Sequence, residues 1–197
     1  MTLFQLMMLG ASAFFAYKIY EHIQTLKDPT HESDEQHQRS SESSPVNVAS
    51  LVEKADEAMQ KGDLQKALAI YTEADLKAPK DAETLFKMGY VLAQQNRDDE
   101  ALERYNEALE LDPDNTSIHQ AMASLYRKMG EYASARNHLN ASLLLDEKNP
   151  ITFYNYGNLL VDMKHPDEAK EMYKRALEID GDFQEAKEEL AKLEGEK

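Results

Sequence analysis

Cysteine and tryptophan are absent from this 197-residue chain, and glycine and proline are scarce, at 7 and 6 residues. Without cysteine there is no disulfide, no thiolate metal site, no cysteine nucleophile and no lipidated N-terminal cysteine. So few turn formers favour a helical protein over a turn-rich sheet. Basic residues are also in deficit: 22 Lys and Arg stand against 37 Asp and Glu, for a formal charge of -15. That charge repels phosphate backbones on average, so no nucleic-acid partner is expected. Catalytic signatures are missing as well, with no glycine-rich phosphate loop, no GxSxG elbow and no HExxH pair. The histidines at 22, 31, 37, 119, 138 and 165 are scattered without metal-ligand spacing. We expect no enzyme, no cofactor and no metal.

One long apolar run stands out in this hydrophilic chain. Thr2 to Tyr20 is apolar apart from Gln5 and Lys18 and a few small polar residues. As a helix it would reach about 28 Å, just enough to cross a bilayer whose core is about 30 Å. No Lys or Arg precedes it, unlike a cleaved signal peptide, so residues 1–27 are expected to form an N-terminal membrane anchor helix. Lys18 and Lys27 fall at the end of the run and beyond it, which favours a cytoplasmic side for the remainder of the chain. Residues 28–47, DPTHESDEQHQRSSESSPVN, carry no Leu, Ile, Phe, Met or Tyr and read as a disordered acidic, serine-rich linker.

From Val48 onward the chain repeats at a period of 34 residues. Four windows run on without insertion, 48–81, 82–115, 116–149 and 150–183, and residues 184–197 remain as a half-repeat. Position 8 of the windows is Ala55, Gly89, Ala123 and Gly157; position 20 is Ala67, Ala101, Ala135 and Ala169; position 27 is Ala74, Ala108, Ser142 and Ala176. Two antiparallel helices that cross closely need such small residues where their ridges meet. Larger side chains fill between them, with Tyr71, Tyr105, Leu139 and Tyr173 at position 24. Gly62 and Gly130 at position 15 mark where a first helix stops, and Pro166 opens a second one. His119 and His138, at positions 4 and 23 of one window, stand where packing residues are usual and read as core histidines.

This pattern resembles the tetratricopeptide repeat family over about 150 residues, and the N-terminal arrangement is similar to that of bacterial membrane-anchored members. The resemblance implies an all-α, right-handed α-solenoid of four helix pairs with 184–197 as a capping helix, preceded by the anchor and linker. It also implies a groove lined by the first helix of each pair. Carried onto this chain, the groove positions are Val52, Asp56 and Met59; Phe86, Tyr90 and Gln94; Gln120, Ser124, Arg127 and Lys128; and Tyr154, Asn158 and Val161. Arg127 and Lys128 are the candidates for gripping a partner carboxylate. Family members that clamp acidic chaperone tails carry Lys and Asn at positions 5 and 9 of the first repeat, whereas this chain has Val52 and Asp56. The implied role is a membrane-tethered, noncatalytic adaptor that holds a peptide or helix of another protein. The second reading is a structural assembly factor that self-associates as a homo-oligomer, on the periplasmic face if the orientation is reversed.

Overall fold

The computed structural model describes residues 45–195, and among these it contains nine α-helices and no strand. They are α1 (Pro45–Gln60), α2 (Leu64–Lys77), α3 (Ala82–Gln94), α4 (Asp98–Leu111), α5 (Thr116–Lys128), α6 (Tyr132–Leu145), α7 (Pro150–Asp162), α8 (Pro166–Ile179) and α9 (Gln184–Gly195). The expected all-helical repeat solenoid is the observed architecture. The anchor expected at residues 1–27 and most of the expected linker lie outside the described residues. No helix among the described residues is long and apolar enough to cross a membrane. The helical part begins at Pro45, inside the stretch expected to be linker. Proline is tolerated in a first turn because its missing N–H is not needed there.

Local chemistry sets the helix ends. Asp81, Asn115 and Asn149 occupy the N-caps of α3, α5 and α7, and each side chain accepts from backbone N–H groups of the first turn. Between the two helices of each pair the chain turns through one residue of positive φ. It is Gly62 (75°) and Gly130 (79°) in the first and third repeats. In the second and fourth, Asn96 (59°) and Lys164 (65°) take the same place. Asparagine tolerates this region, and lysine does so only at a cost.

The small residues explain the close crossings. Ala67, Ala101, Ala135 and Ala169 are fully buried, as are Ala74, Ala108, Ser142 and Ala176. Tyr71, Tyr105 and Tyr173 reach from the second helix of a pair across the first. At Gly89 a Cβ would stand 2.6 Å from two carbons of the Tyr105 ring, and at Gly157 it would stand 2.4 Å from Tyr173. The central core joins α3, α4 and α5 through Leu85, Leu92, Tyr105, Ile118, Met122 and Leu125. At the C-terminal end Ala186 of α9 packs with Phe153 and Ala176, and Leu190 and Leu193 cover Leu160 and Tyr173. That covering closes the apolar end of the stack, as terminal elements of repeat proteins must.

Candidate functional site

Because each pair stacks on the next in register, the first helices lie side by side, with α5 touching both α3 and α7. Their shared face holds a pocket of about 550 Å³. Its apolar wall is Phe86, Tyr90, Ala93, Ala121 and Leu125, with the Tyr105 ring at its base. Gln94, Ser117, Gln120, Ser124 and Asn155 supply neutral polar groups, and Asn96 and Lys128 stand at one end. Phe86 lies tilted against Tyr105 with ring centroids 5.8 Å apart, whereas Tyr90 is 43% exposed. The tyrosine in contact with solvent is therefore Tyr90, while burial, reinforced by Tyr90, pushes the Tyr105 phenol above its ordinary value.

Six of the thirteen residues carried over from the repeat pattern meet at this pocket: Phe86, Tyr90, Gln94, Gln120, Ser124 and Lys128. The others lie elsewhere. Val52 and Met59 pack onto the core between α1, α2 and α3. Tyr154 lies between Tyr173 (5.9 Å) and Phe183 (5.1 Å), and Val161 packs beside it on the Leu160 and Tyr173 cluster. Asn158 accepts a hydrogen bond of 2.7 Å from the Tyr173 hydroxyl. The Tyr71 hydroxyl donates in the same way to Asp56, so in the first and fourth repeats position 24 holds position 9 from behind.

The cations on this face are engaged within the molecule. Lys87 donates to Asp56 at 2.9 Å and pairs with Glu83 at 2.9 Å. Burial pulls its ammonium down, but these two partners outweigh that and hold it above the usual lysine value. Arg127 meets Asp162 at 2.6 Å, and Lys128 meets Asp98 at 2.8 Å and donates to Asn96 at 2.9 Å. Arg127 and Lys128, the residues expected to grip a partner carboxylate, thus each join two neighbouring repeats. Gln120 is buried, and its amide donates to Asn149 (3.0 Å) and Thr152 (2.7 Å), with Ser142 a further 2.9 Å from Thr152. It belongs to a polar knot between the third and fourth repeats more than to the open face.

The repeat pattern alone missed Asn155, which lines the pocket from position 6 of the next repeat. Lys87 holds the same position in the second repeat and reaches Asp56, 31 residues back. Position 6 of one repeat beside position 9 of the one before is a rule of the stacking. A spacing of 31 between polar residues is the signal that would have found it.

Known proteins share this arrangement. A family model described as TPR repeat matches residues 89–130, and one described as Tetratricopeptide repeat matches residues 115–182. RNA polymerase II-associated protein 3 of Xenopus laevis is 28% identical over 132 residues, which is 67% of this chain but only 19% of that protein. The chain therefore spans about a fifth of the length of that relative. Among solved structures, the first TPR of Spaghetti (RPAP3) bound to the HSP90 peptide SRMEEVD has a TM-score of 0.53 at 27% identity. That match covers 57% of this chain and 90% of the other. PilF of Pseudomonas aeruginosa shares the fold, with a TM-score of 0.67 at 21% identity over 74% of this chain and 67% of its own. The hairpin period, the small-residue seams and these matches agree: the chain belongs to the tetratricopeptide repeat family.

Proposed function

We propose that this protein is a membrane-tethered adaptor whose inner face holds a segment of another polypeptide while an anchor at residues 1–27 keeps it at a bilayer, repeats on the cytoplasmic side. The tetratricopeptide fold is in general a noncatalytic, protein-interaction fold, and the Spaghetti (RPAP3) repeat shows a relative with a peptide bound. The observation that carries the reading here is the 550 Å³ pocket across α3, α5 and α7, with Tyr90 exposed at its wall. An aromatic left in water at a concave site costs about 25 cal/mol per Å² of apolar surface, a cost that a docked chain removes.

Charge narrows the partner. Lys87, Arg127 and Lys128 are all paired with carboxylates of this chain. An acid-ended peptide would have to displace those pairs, whereas a neutral segment that inserts an apolar side chain between Phe86 and Tyr90 would not. The test compares the full chain with Tyr90→Ala and Ser124→Arg in cells, by affinity capture followed by mass spectrometry. A partner lost from both variants, together with sedimentation of the wild type with alkali-washed membranes, supports the reading. Equal capture by all three, or release of the chain into the soluble fraction, refutes it.

A further inference from the structure

His119 of α5 and His138 of α6 face each other across the seam of the third hairpin, Nδ1 to Nδ1 at 3.0 Å. In the other repeats these two places hold Leu51 and Ile70, Leu85 and Arg104, and Phe153 and Met172. His119 is buried and His138 half-buried, and the Tyr126 ring stacks on His138 at 5.5 Å with 18° between planes. At 3.0 Å one Nδ1 must carry the proton that the other accepts. A proton added at the accepting nitrogen sets two N–H groups face to face, and one added at the donor's outer nitrogen puts a charge into the seam.

The arginines of the flanking helices are engaged elsewhere. Arg104 and Glu107 of α4 pair with each other at 2.8 Å, and Arg127 of α5 with Asp162 of α7. Arg136 of α6 reaches the Met163 sulfur, and Arg175 of α8 lies over Phe153. Among the described residues no carboxylate comes within ion-pair distance of either imidazole, and no third ligand makes the pair a metal site. Burial, followed by the neighbouring His119, holds His138 below the ordinary histidine value.

We propose that His119 and His138 form a pH-sensitive latch that closes α5 onto α6 at neutral pH and loosens it as the pH falls toward 5. Gln120, Ser124 and Lys128 line the pocket from α5, so the latch regulates the groove; that regulatory meaning rests on the adaptor reading, while the loosening itself does not. The sign comes from linkage. The unfolded chain takes up its proton near pH 6.5 and the folded His138 only below that. Stability is therefore full above about pH 6.5 and is lost as the pH falls through that value toward the depressed one. Ordinary carboxylates titrate near pH 4, which leaves the window to the histidines.

The test tracks the histidine Cε1–H resonances of the full chain by NMR from pH 7.5 to 5, assigned with His119→Leu and His138→Met, together with melting curves. The His138 resonance should titrate below the ordinary histidine value and move toward it when His119 is replaced. The melting temperature should fall by about 2–4 °C from pH 7 to 5.5 in the wild type but not in the double variant. Amides of α5 should exchange faster at pH 5.5 after correction for intrinsic rates. An ordinary His138 titration that His119→Leu leaves unchanged, or a melting shift that persists in the double variant, would overturn the latch. If the double variant does not fold, the coupled titration in the wild type and the single variants decides. Tyr90→Ala leaves this titration unchanged, so the latch and the partner site fail separately.

Discussion

Gly89→Ala tests the seam on which every repeat depends. The added Cβ would stand 2.6 Å from Cδ1 and Cε1 of Tyr105 and 3.2 Å from the Ala101 carbonyl oxygen. Carbon atoms rest at about 3.5–4.0 Å, so the ring must retreat by about 1 Å. It has little room to do so, because Tyr105 is buried against Leu85, Leu92, Ile118 and Met122, with Phe86 on one side. Overpacking of this kind costs about 1–3 kcal/mol, and exchanging glycine for alanine inside a helix returns about 1 kcal/mol. The net loss should be up to about 2 kcal/mol, read as a melting temperature lower by up to about 8 °C for a chain of this size. The third repeat shows how the conflict is relieved, because it combines Ala123 with Leu139 in place of glycine with tyrosine. The first repeat keeps Tyr71 over Ala55, so ring and methyl can share a seam whose crossing was built for both. A double-mutant cycle with Tyr105→Leu should therefore show a favourable coupling of at least about 0.5 kcal/mol between the two changes. A Gly89→Ala variant that melts higher than wild type, with additive behaviour in the cycle, would refute the packing argument.

Other substitutions probe the turns and the inner face. Lys164→Gly, at a φ of 65°, should raise stability by about 0.5–1 kcal/mol, since it removes left-handed strain at a small entropic cost; chemical denaturation reads this directly. Tyr90→Ala should leave melting within about 2 °C, because the residue is exposed at the pocket wall, whereas Tyr154→Ala should lose about 1–3 kcal/mol through its contacts with Tyr173 and Phe183. Similar losses in both would place Tyr90 in the core. Gln120→Leu should cost about 1–3 kcal/mol by removing the buried donor to Asn149 and Thr152, against less than about 1 kcal/mol for Lys128→Ala at its exposed ion pair, each measured by urea unfolding.

The fold was readable because its determinants repeat. Small residues at positions 8, 20 and 27 recur every 34 residues; those at 8 and 20 mark the crossing inside a hairpin, while Ser142 and Ala176 at position 27 also meet the element that follows. The groove was only partly readable, because its side chains answer to neighbours in other repeats. Arg127 and Lys128 look like free cations along one helix, yet stacking carries Asp162 and Asp98 to them from 35 residues ahead and 30 behind. Asp56 looks like an inward-facing acid, yet Tyr71 and Lys87 occupy its oxygens. Tyr154 looks like a partner of Tyr90, but α9 succeeds the last repeat and Phe183 closes over it. Contacts within a hairpin can be read from periodicity. Contacts between hairpins depend on the stacking angle, which a period does not encode.

The claim that the inner face receives another polypeptide is tested most directly by placing a photo-crosslinking amino acid at position 90 and, separately, at position 144 in the full chain in cells. Leu144 is 88% exposed and lies on the second helix of its hairpin, away from the pocket lining, so it reports chance encounters. A discrete crosslinked protein is expected at position 90 that is absent at position 144 and vanishes when Ser124→Arg fills the pocket. Equal labelling at both positions, or a product at position 90 that survives Ser124→Arg, would contradict the claim.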